Sequence, residues 1–156
     1  MMKFLQRYKL DIVIGVAFLL LPLLLFGDVT LGGKTMLPAD NLFQWQPWAS
    51  AASAYGVGTP QNGLILDLII ENYAWKQFAR ETLLAGDIPL WNPYLFAGVP
   101  FLAAGQHSML YPFSVLFLLL PLSAAYGWYT VSQLWLAGVL MYAFGRILGL
   151  RRGSAF

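Results

Sequence analysis

Apolar positions fall in three blocks along this chain, and the polar ones crowd between the first block and the other two. Ile12 to Gly27 runs without a charge and is dominated by Leu, Val, Ile and Phe. As helix, those roughly 16 residues reach about 24 Å, slightly under the ~30 Å hydrocarbon core of a bilayer. Pro22 lies inside the run and is expected to kink it. Residues 28–63 are rich in turn formers, including Gly32-Gly33, Pro38, Gly56, Gly58, Pro60 and Asn62-Gly63, and predict an irregular loop with short helical pieces. Leu64 to Ala85 is free of Gly and Pro and ends at Gly86, which predicts the best helix of the polar segment with a glycine C-cap. Pro89 to Pro100 is punctuated by Pro and Gly and predicts a loop or packed turn. Pro112 to Leu122 is strongly apolar but bounded by Pro112 and interrupted at Pro121, a length more often interfacial or re-entrant than spanning. Ala124 to Gly145 has no charge over about 22 residues, roughly 33 Å as helix and enough to cross.

Composition assigns the class. The chain is 59% hydrophobic and 10% charged, against about 25% charged for a soluble domain, and its mean hydropathy is +0.64. Basic residues cluster at 3–9 and at 146–152, and both clusters prefer the cytoplasm, so the number of crossings between them is expected to be even. The segment between the crossings holds six of the 7 acids and three of the 9 bases, as expected of a non-cytoplasmic loop. The expected fold is therefore all-α and integral to a membrane. A cytoplasmic N-terminus over 1–11 leads into a transmembrane helix over 12–27. An extracytoplasmic loop over 28–123 follows, with an amphipathic surface helix at about 64–85 and a short apolar helix at about 112–121. A second transmembrane helix over 124–148 leads to a cytoplasmic end over 149–156. A basic start before a short apolar run also describes a signal peptide. Positions 25–27 read Leu-Phe-Gly and offer no small-x-small cleavage site, which favours an uncleaved signal anchor.

Several chemistries are excluded. Without cysteine there are no disulfides, thiol nucleophiles or thiolate metal ligands. A net charge of +2 is too small to suggest nucleic acid. No Gly-rich phosphate loop opens a helix, and neither H-E-x-x-H nor Gly-x-Ser-x-Gly occurs. The apolar runs 12–27 and 124–145 contain no charge of the kind that marks an ion path.

What remains is acidic and aromatic. Asp40-x3-Gln44-x2-Pro47-Trp48 and Asp67-x3-Glu71-x2-Ala74-Trp75 repeat one spacing within the polar segment. On a helix from Leu64, Asp67 and Glu71 share a face, and like charges at that spacing repel by a few tenths of a kcal/mol. The pair reads as a solvated acidic face, or as a site for a substrate hydroxyl, a distant arginine or a hard cation such as Mg²⁺ or Mn²⁺. Asp40 reads as a turn or N-cap residue or as a second functional acid. Lys76 and Arg80, nearly opposite the acids, face headgroups or meet a lipid phosphate. Trp45, Trp48, Trp75 and Trp91 read as interface anchors or as stacking platforms for sugar. His107, the lone histidine, reads as a hydrogen-bonded structural residue, since no companion ligands stand at metal spacing.

The run Gly86-Asp87-Ile88-Pro89-Leu90-Trp91-Asn92-Pro93-Tyr94, followed by Gly98-Val99-Pro100, Gly105-Gln106 and Tyr111-Pro112, resembles the bacterial YfhO-like membrane proteins. Those are similar to polytopic glycosyltransferases of the GT-C superfamily. The resemblance covers roughly residues 38–152. It implies a protein of the bacterial cytoplasmic membrane that takes a sugar from a polyprenyl-phosphate carrier to a cell-envelope glycan or polymer outside the cytoplasm. It implies an essential acid on the first external loop, carried here by Asp67 with Asp40 as the second candidate, and substrate contacts at Glu71, Arg80, Trp91, Asn92, Gln106, His107 and Tyr111. Asp67 and Glu71 are the implied metal ligands where Mg²⁺ or Mn²⁺ is used. Glu71 and Ala74 depart from the pattern, in which Gln and Pro are expected. Family members have many more membrane helices, so the chain resembles an N-terminal portion, without expected turnover in isolation. The other classes open are a non-enzymatic export or assembly subunit and a membrane-anchored loop that binds glycan without turning it over.

Overall fold

The computed structural model describes residues 2–156, with side chains from Tyr8 onward, so Lys3 and Arg7 of the basic N-terminus lie outside the described side chains. The structure is mostly helical. Its long helices are α1 (Met2–Leu25), α2 (Tyr73–Leu84) and α3 (Leu122–Ile147). Two-residue strands β1 (Trp91–Asn92) and β2 (Val99–Pro100) pair antiparallel, Trp91 opposite Pro100 and Asn92 opposite Val99. The chain divides into two compact units, one formed by Met1–Lys34 with Gly127–Phe156 and the other by Thr35–Tyr126.

In the first unit α1 and α3 run antiparallel. At one end Asp11 meets Tyr142 and Arg152. Further along, the Trp135 indole donates to Gly15 O at 3.1 Å, and Phe18 packs on Tyr142 and Phe156. Two glycines of α3 permit the close approach. A Cβ on Gly138 would lie 2.6 Å from the Phe18 ring, and one on Gly127 would strike the Val29 carbonyl. Small residues at a helix crossing let backbones close in this way. The two basic clusters therefore belong to the same end of the pair.

α1 has 24 residues and is about 36 Å long. Among the described residues it is the one helix long and apolar enough to cross a membrane, over Tyr8–Leu25, and almost none of that stretch is buried. It runs past Pro22 to Leu25, and a separate turn follows at Gly27–Thr30. α3 is longer, at 26 residues, but Tyr126, Trp128, Tyr129, Thr130, Ser132 and Gln133 in its first half lower its hydropathy.

The second unit begins and ends at one point, where the Thr35 hydroxyl donates to Ser123 O at 2.8 Å. Short 3₁₀ helices occupy Ala39–Gln44 and Trp48–Tyr55. The helix expected over 64–85 forms in three pieces. A 3₁₀ turn covers Gly63–Ile65, a π-helical turn covers Leu68–Asn72, and α-helix begins only at Tyr73. The Tyr73 N–H reaches back five residues to Leu68 O. The α-helical hydrogen-bond pattern expected across this stretch is therefore replaced by a wider one, and β-branched Ile69-Ile70 within it are weak α-formers. α2 ends in a Schellman motif. Gly86 sits at φ +87, its N–H bonds Leu83 O, and the Asp87 N–H bonds Thr82 O, both at 3.1 Å. The apolar run after Tyr111 folds as a 3₁₀ turn over Pro112–Val115 and an α turn over Leu116–Leu119.

Candidate functional site

α2 buries Lys76 and Ala79 and half-buries Phe78, Arg80 and Leu83, so its inner face carries two cations among apolar groups. Lys76, only 5% exposed, donates from Nζ to His107 O at 2.5 Å and to Ser108 Oγ at 3.1 Å, and lies 4.4 Å from the centre of the Phe117 ring. Burial pushes the Lys76 ammonium down to about 8, because carbonyl and hydroxyl dipoles replace only part of the water it gives up. Ser108 is held at φ +51, in the left-handed region a side chain rarely adopts, and its carbonyl accepts from Ser114 Oγ at 2.6 Å. Arg80 donates from Nη1 to Leu120 O at 2.7 Å.

His107 spends both ring nitrogens on structure. Nδ1 accepts the Met109 N–H at 3.1 Å, so Nε2 carries the hydrogen and donates to Phe101 O at 2.7 Å. The ring stacks on Phe101 with centroids 4.1 Å apart. In this arrangement neither nitrogen has a lone pair left for a metal.

Lys76 and Arg80, with Tyr111, border a cavity of about 320 Å³ whose other walls are mainly Leu83, Leu110, Val115, Phe117 and Leu118. No carboxylate lines it. Such a cavity is chemically suited to one anionic group attached to an apolar body.

A second groove, about 420 Å³, uses other residues of α2. Glu71, Trp75, Phe78 and Glu81 line it together with Asn92, Tyr94 and Phe96. Asn92 is buried, and its Oδ1 accepts the Tyr94 N–H at 2.9 Å, which shapes the turn after β1. Gln106 lines a smaller pocket, about 180 Å³, with Trp75, Phe96 and His107.

The residues singled out in the sequence thus separate. Arg80, His107 and Tyr111 come together at the cationic cavity, Glu71 and Asn92 at the aromatic groove, and Gln106 beside His107. Trp91 instead covers Gly98, where a Cβ would come within 2.5 Å of the indole. Asp40 and Asp67 line none of these spaces. Asp40 braces the loop, its Oδ2 accepting the Gln61 N–H at 2.9 Å. Beside it Asn41, fully buried, donates to Pro38 O and Asn62 O and accepts from Gln44 Nε2, each within 3.3 Å. Asp67 and Glu71 are exposed, and neither forms a hydrogen bond or ion pair among the described residues.

Among the described residues no three His, Asp or Glu side chains gather at metal-binding spacing. Asp67 and Glu71 are hard oxygen donors, and a Mg²⁺ ion usually keeps several waters and takes one or two carboxylates plus substrate phosphates. The donor set fits that mode and does not form a closed protein cage.

Sequence reasoning passed over two residues that organise these sites, Asn41 and Ser108, and gave a third, Lys76, only a headgroup or lipid-phosphate role. Asn41 looks like any loop asparagine, and Ser108 like any loop serine. Lys76 reads as a headgroup-facing cation, although its place three residues before Ala79 on an apolar stripe is the one sign that it turns inward. No family model, curated protein or solved structure matches this chain.

Proposed function

We propose that this chain forms part of a GT-C-type glycosyltransferase of the bacterial cytoplasmic membrane, which transfers a sugar from a polyprenyl-phosphate carrier to an extracytoplasmic glycan or polymer. In this reading α1 and α3 are the two crossings, both chain ends face the cytoplasm, and Thr35–Tyr126 lies outside. One observation carries it: the cavity that sets Lys76 and Arg80 against apolar walls with no acid in its lining. A phosphate at the head of a prenyl chain matches that surface in both charge and polarity.

The exposed carboxylate of Asp67 acts as general base. It takes the proton of the acceptor hydroxyl while that oxygen attacks the anomeric carbon, and the carrier phosphate departs with the bonding electrons. Glu71 holds the acceptor in the aromatic groove beside Trp75 and Tyr94, and Asp40 keeps the loop in place. A divalent cation bound by Asp67 and Glu71 would neutralise phosphate charge.

Binding of a short polyprenyl phosphate to the reconstituted chain tests the cavity. The phosphate is expected to bind at least about tenfold more tightly than the matching polyprenol, with Arg80→Ala removing most of the difference. Equal binding of both would remove the reading. Sugar transfer by the complete gene product carrying Asp67→Asn and Asp40→Asn separately tests the acids, and full activity in both would remove the catalytic assignment.

The groove of Glu71, Trp75, Asn92 and Tyr94 favours a second reading, in which glycan is held without turnover. Aromatic faces there meet sugar C–H groups, and the polar side chains take hydroxyls. Glycan binding that survives both acid substitutions, with no sugar transferred, would select it.

A further inference from the structure

We infer that the tip of the β1–β2 hairpin, Tyr94 to Ala97, inserts into the interfacial layer of a phospholipid bilayer. The inference rests on reading α1 as a membrane span, and its tip residues Tyr94 and Phe96 also border the aromatic groove of the proposed function.

The hairpin is braced to present its apolar side chains outward. Asn92, 3% exposed, fixes the Tyr94 N–H, the Gly98 N–H returns to Leu95 O at 2.6 Å, and Trp91 closes over Gly98 at φ +118. Between these braces Phe96 and Ala97 stand at φ +48 and +62, two non-glycine residues in the left-handed region. Backbone of this kind persists only where its surroundings enforce it, and an observed outlier is a pointer to function. The result is a Phe96 that is 93% exposed and a Tyr94 that is 81% exposed, with Ile88, Leu90 and Trp91 also uncovered at the base.

The chemistry of the tip selects lipid over a protein partner. From Ile88 to Gly145 the chain has no Asp, Glu, Lys or Arg, so the tip residues carry no charge of their own into the layer, while Glu71 and Glu81 line the groove that Tyr94 and Phe96 border. Trp91 and Tyr94 are the ring types that settle at headgroup level, with Phe96 beyond them for the acyl boundary. With α1 read as a span, a bilayer is the partner at hand.

Because the chain has no cysteine, single cysteines report position cleanly. Phe96→Cys, Thr59→Cys and Leu20→Cys are introduced separately and labelled with an environment-sensitive fluorophore. The full chain is then reconstituted in phosphatidylethanolamine and phosphatidylglycerol vesicles that carry nitroxide lipids. Emission at position 96 is expected to shift to the blue and to be quenched most by a nitroxide placed shallow in the acyl chain. Position 59 stays water-like, and position 20 is quenched by a deep nitroxide. Water-like emission at 96 with a lipid signature at 20 overturns the insertion and leaves the membrane reading standing. Water-like emission at both removes the membrane reading and the insertion with it. A blue shift at 96 without lipid quenching places the tip against protein and also overturns the proposal. Tyr94→Cys repeats the measurement two residues away, so a local fault at 96 does not decide the outcome.

Discussion

Asp11 and Arg152, near opposite ends of the chain, form a two-point ion pair, with Nε 2.9 Å from Oδ1 and Nη2 3.0 Å from Oδ2. The Tyr142 hydroxyl donates to the same carboxylate, and Arg146 Nε lies 4.0 Å from it. A fork-to-carboxylate contact fixes geometry as well as charge. In a chain without disulfides it closes the open end of the α1–α3 pair.

Reversing one charge of that pair opens this end. Asp11→Arg lowers the melting temperature of the reconstituted chain, read from tryptophan fluorescence. Asp11→Arg combined with Arg152→Asp recovers most of the loss. A double variant no better than either single would mean that the two residues do not act as a pair.

Lys76 makes stability depend on pH in a defined direction. Its folded value of about 8 lies below the ordinary 10.5, so the folded state releases this proton first as pH rises. Below about 8 both states are charged, and the full cost of burying the ammonium stands. Between about 8 and 10.5 that cost is relieved and stability climbs, by roughly 3 kcal/mol at most. Lys76→Met flattens the slope in chemical denaturation across this window. A slope that survives the substitution would assign it to another group.

Gly127 and Gly138 of α3 respond differently to a methyl group. At Gly138 the obstacle is the Phe18 ring, which can turn aside, and Gly138→Ala costs about 1 kcal/mol. At Gly127 the obstacle is the Val29 carbonyl, which belongs to the backbone, and Gly127→Ala costs about 2–3 kcal/mol. Adding Phe18→Leu rescues the first variant and leaves the second unchanged in thermal melts.

Asn41→Ala removes the side-chain donor to Asn62 O and one of two donors to Pro38 O, which keeps the backbone N–H of residue 41. The expected loss is about 2 kcal/mol, with faster amide exchange through residues 38–62. Asp40→Asn keeps an acceptor for the Gln61 N–H and costs less than 1 kcal/mol by the same measure. Equal losses would show that the loop is held by the aspartate as much as by the asparagine.

Gly86 marks the end of α2 in the sequence because a glycine C-cap is a local device, set by the absence of a Cβ at a positive φ. The start of the same helix is not marked. Leu64 to Asn72 contains no Gly or Pro beyond Gly63, yet it winds as 3₁₀ and then π turn. Propensity permits a helix there, and packing of the unit sets which kind. His107 was legible as a structural residue from its isolation, whereas its two partners, Phe101 O and the Met109 N–H, belong to a turn that no spacing rule foresees.

The amino-acid order by itself determined the apolar helix at the N-terminus, the mostly helical class, the break at Pro89–Pro100 and the scarcity of acids. Each depends on side-chain polarity and backbone preference over a few consecutive residues. Only the tertiary structure decided that Asp11 meets Arg152, that Lys76 turns inward to His107 and Ser108, and that Asp40 is engaged while Asp67 is free. Those outcomes join residues 21 to 141 positions apart, and local preference carries no information about which distant groups share a surface once the chain has folded.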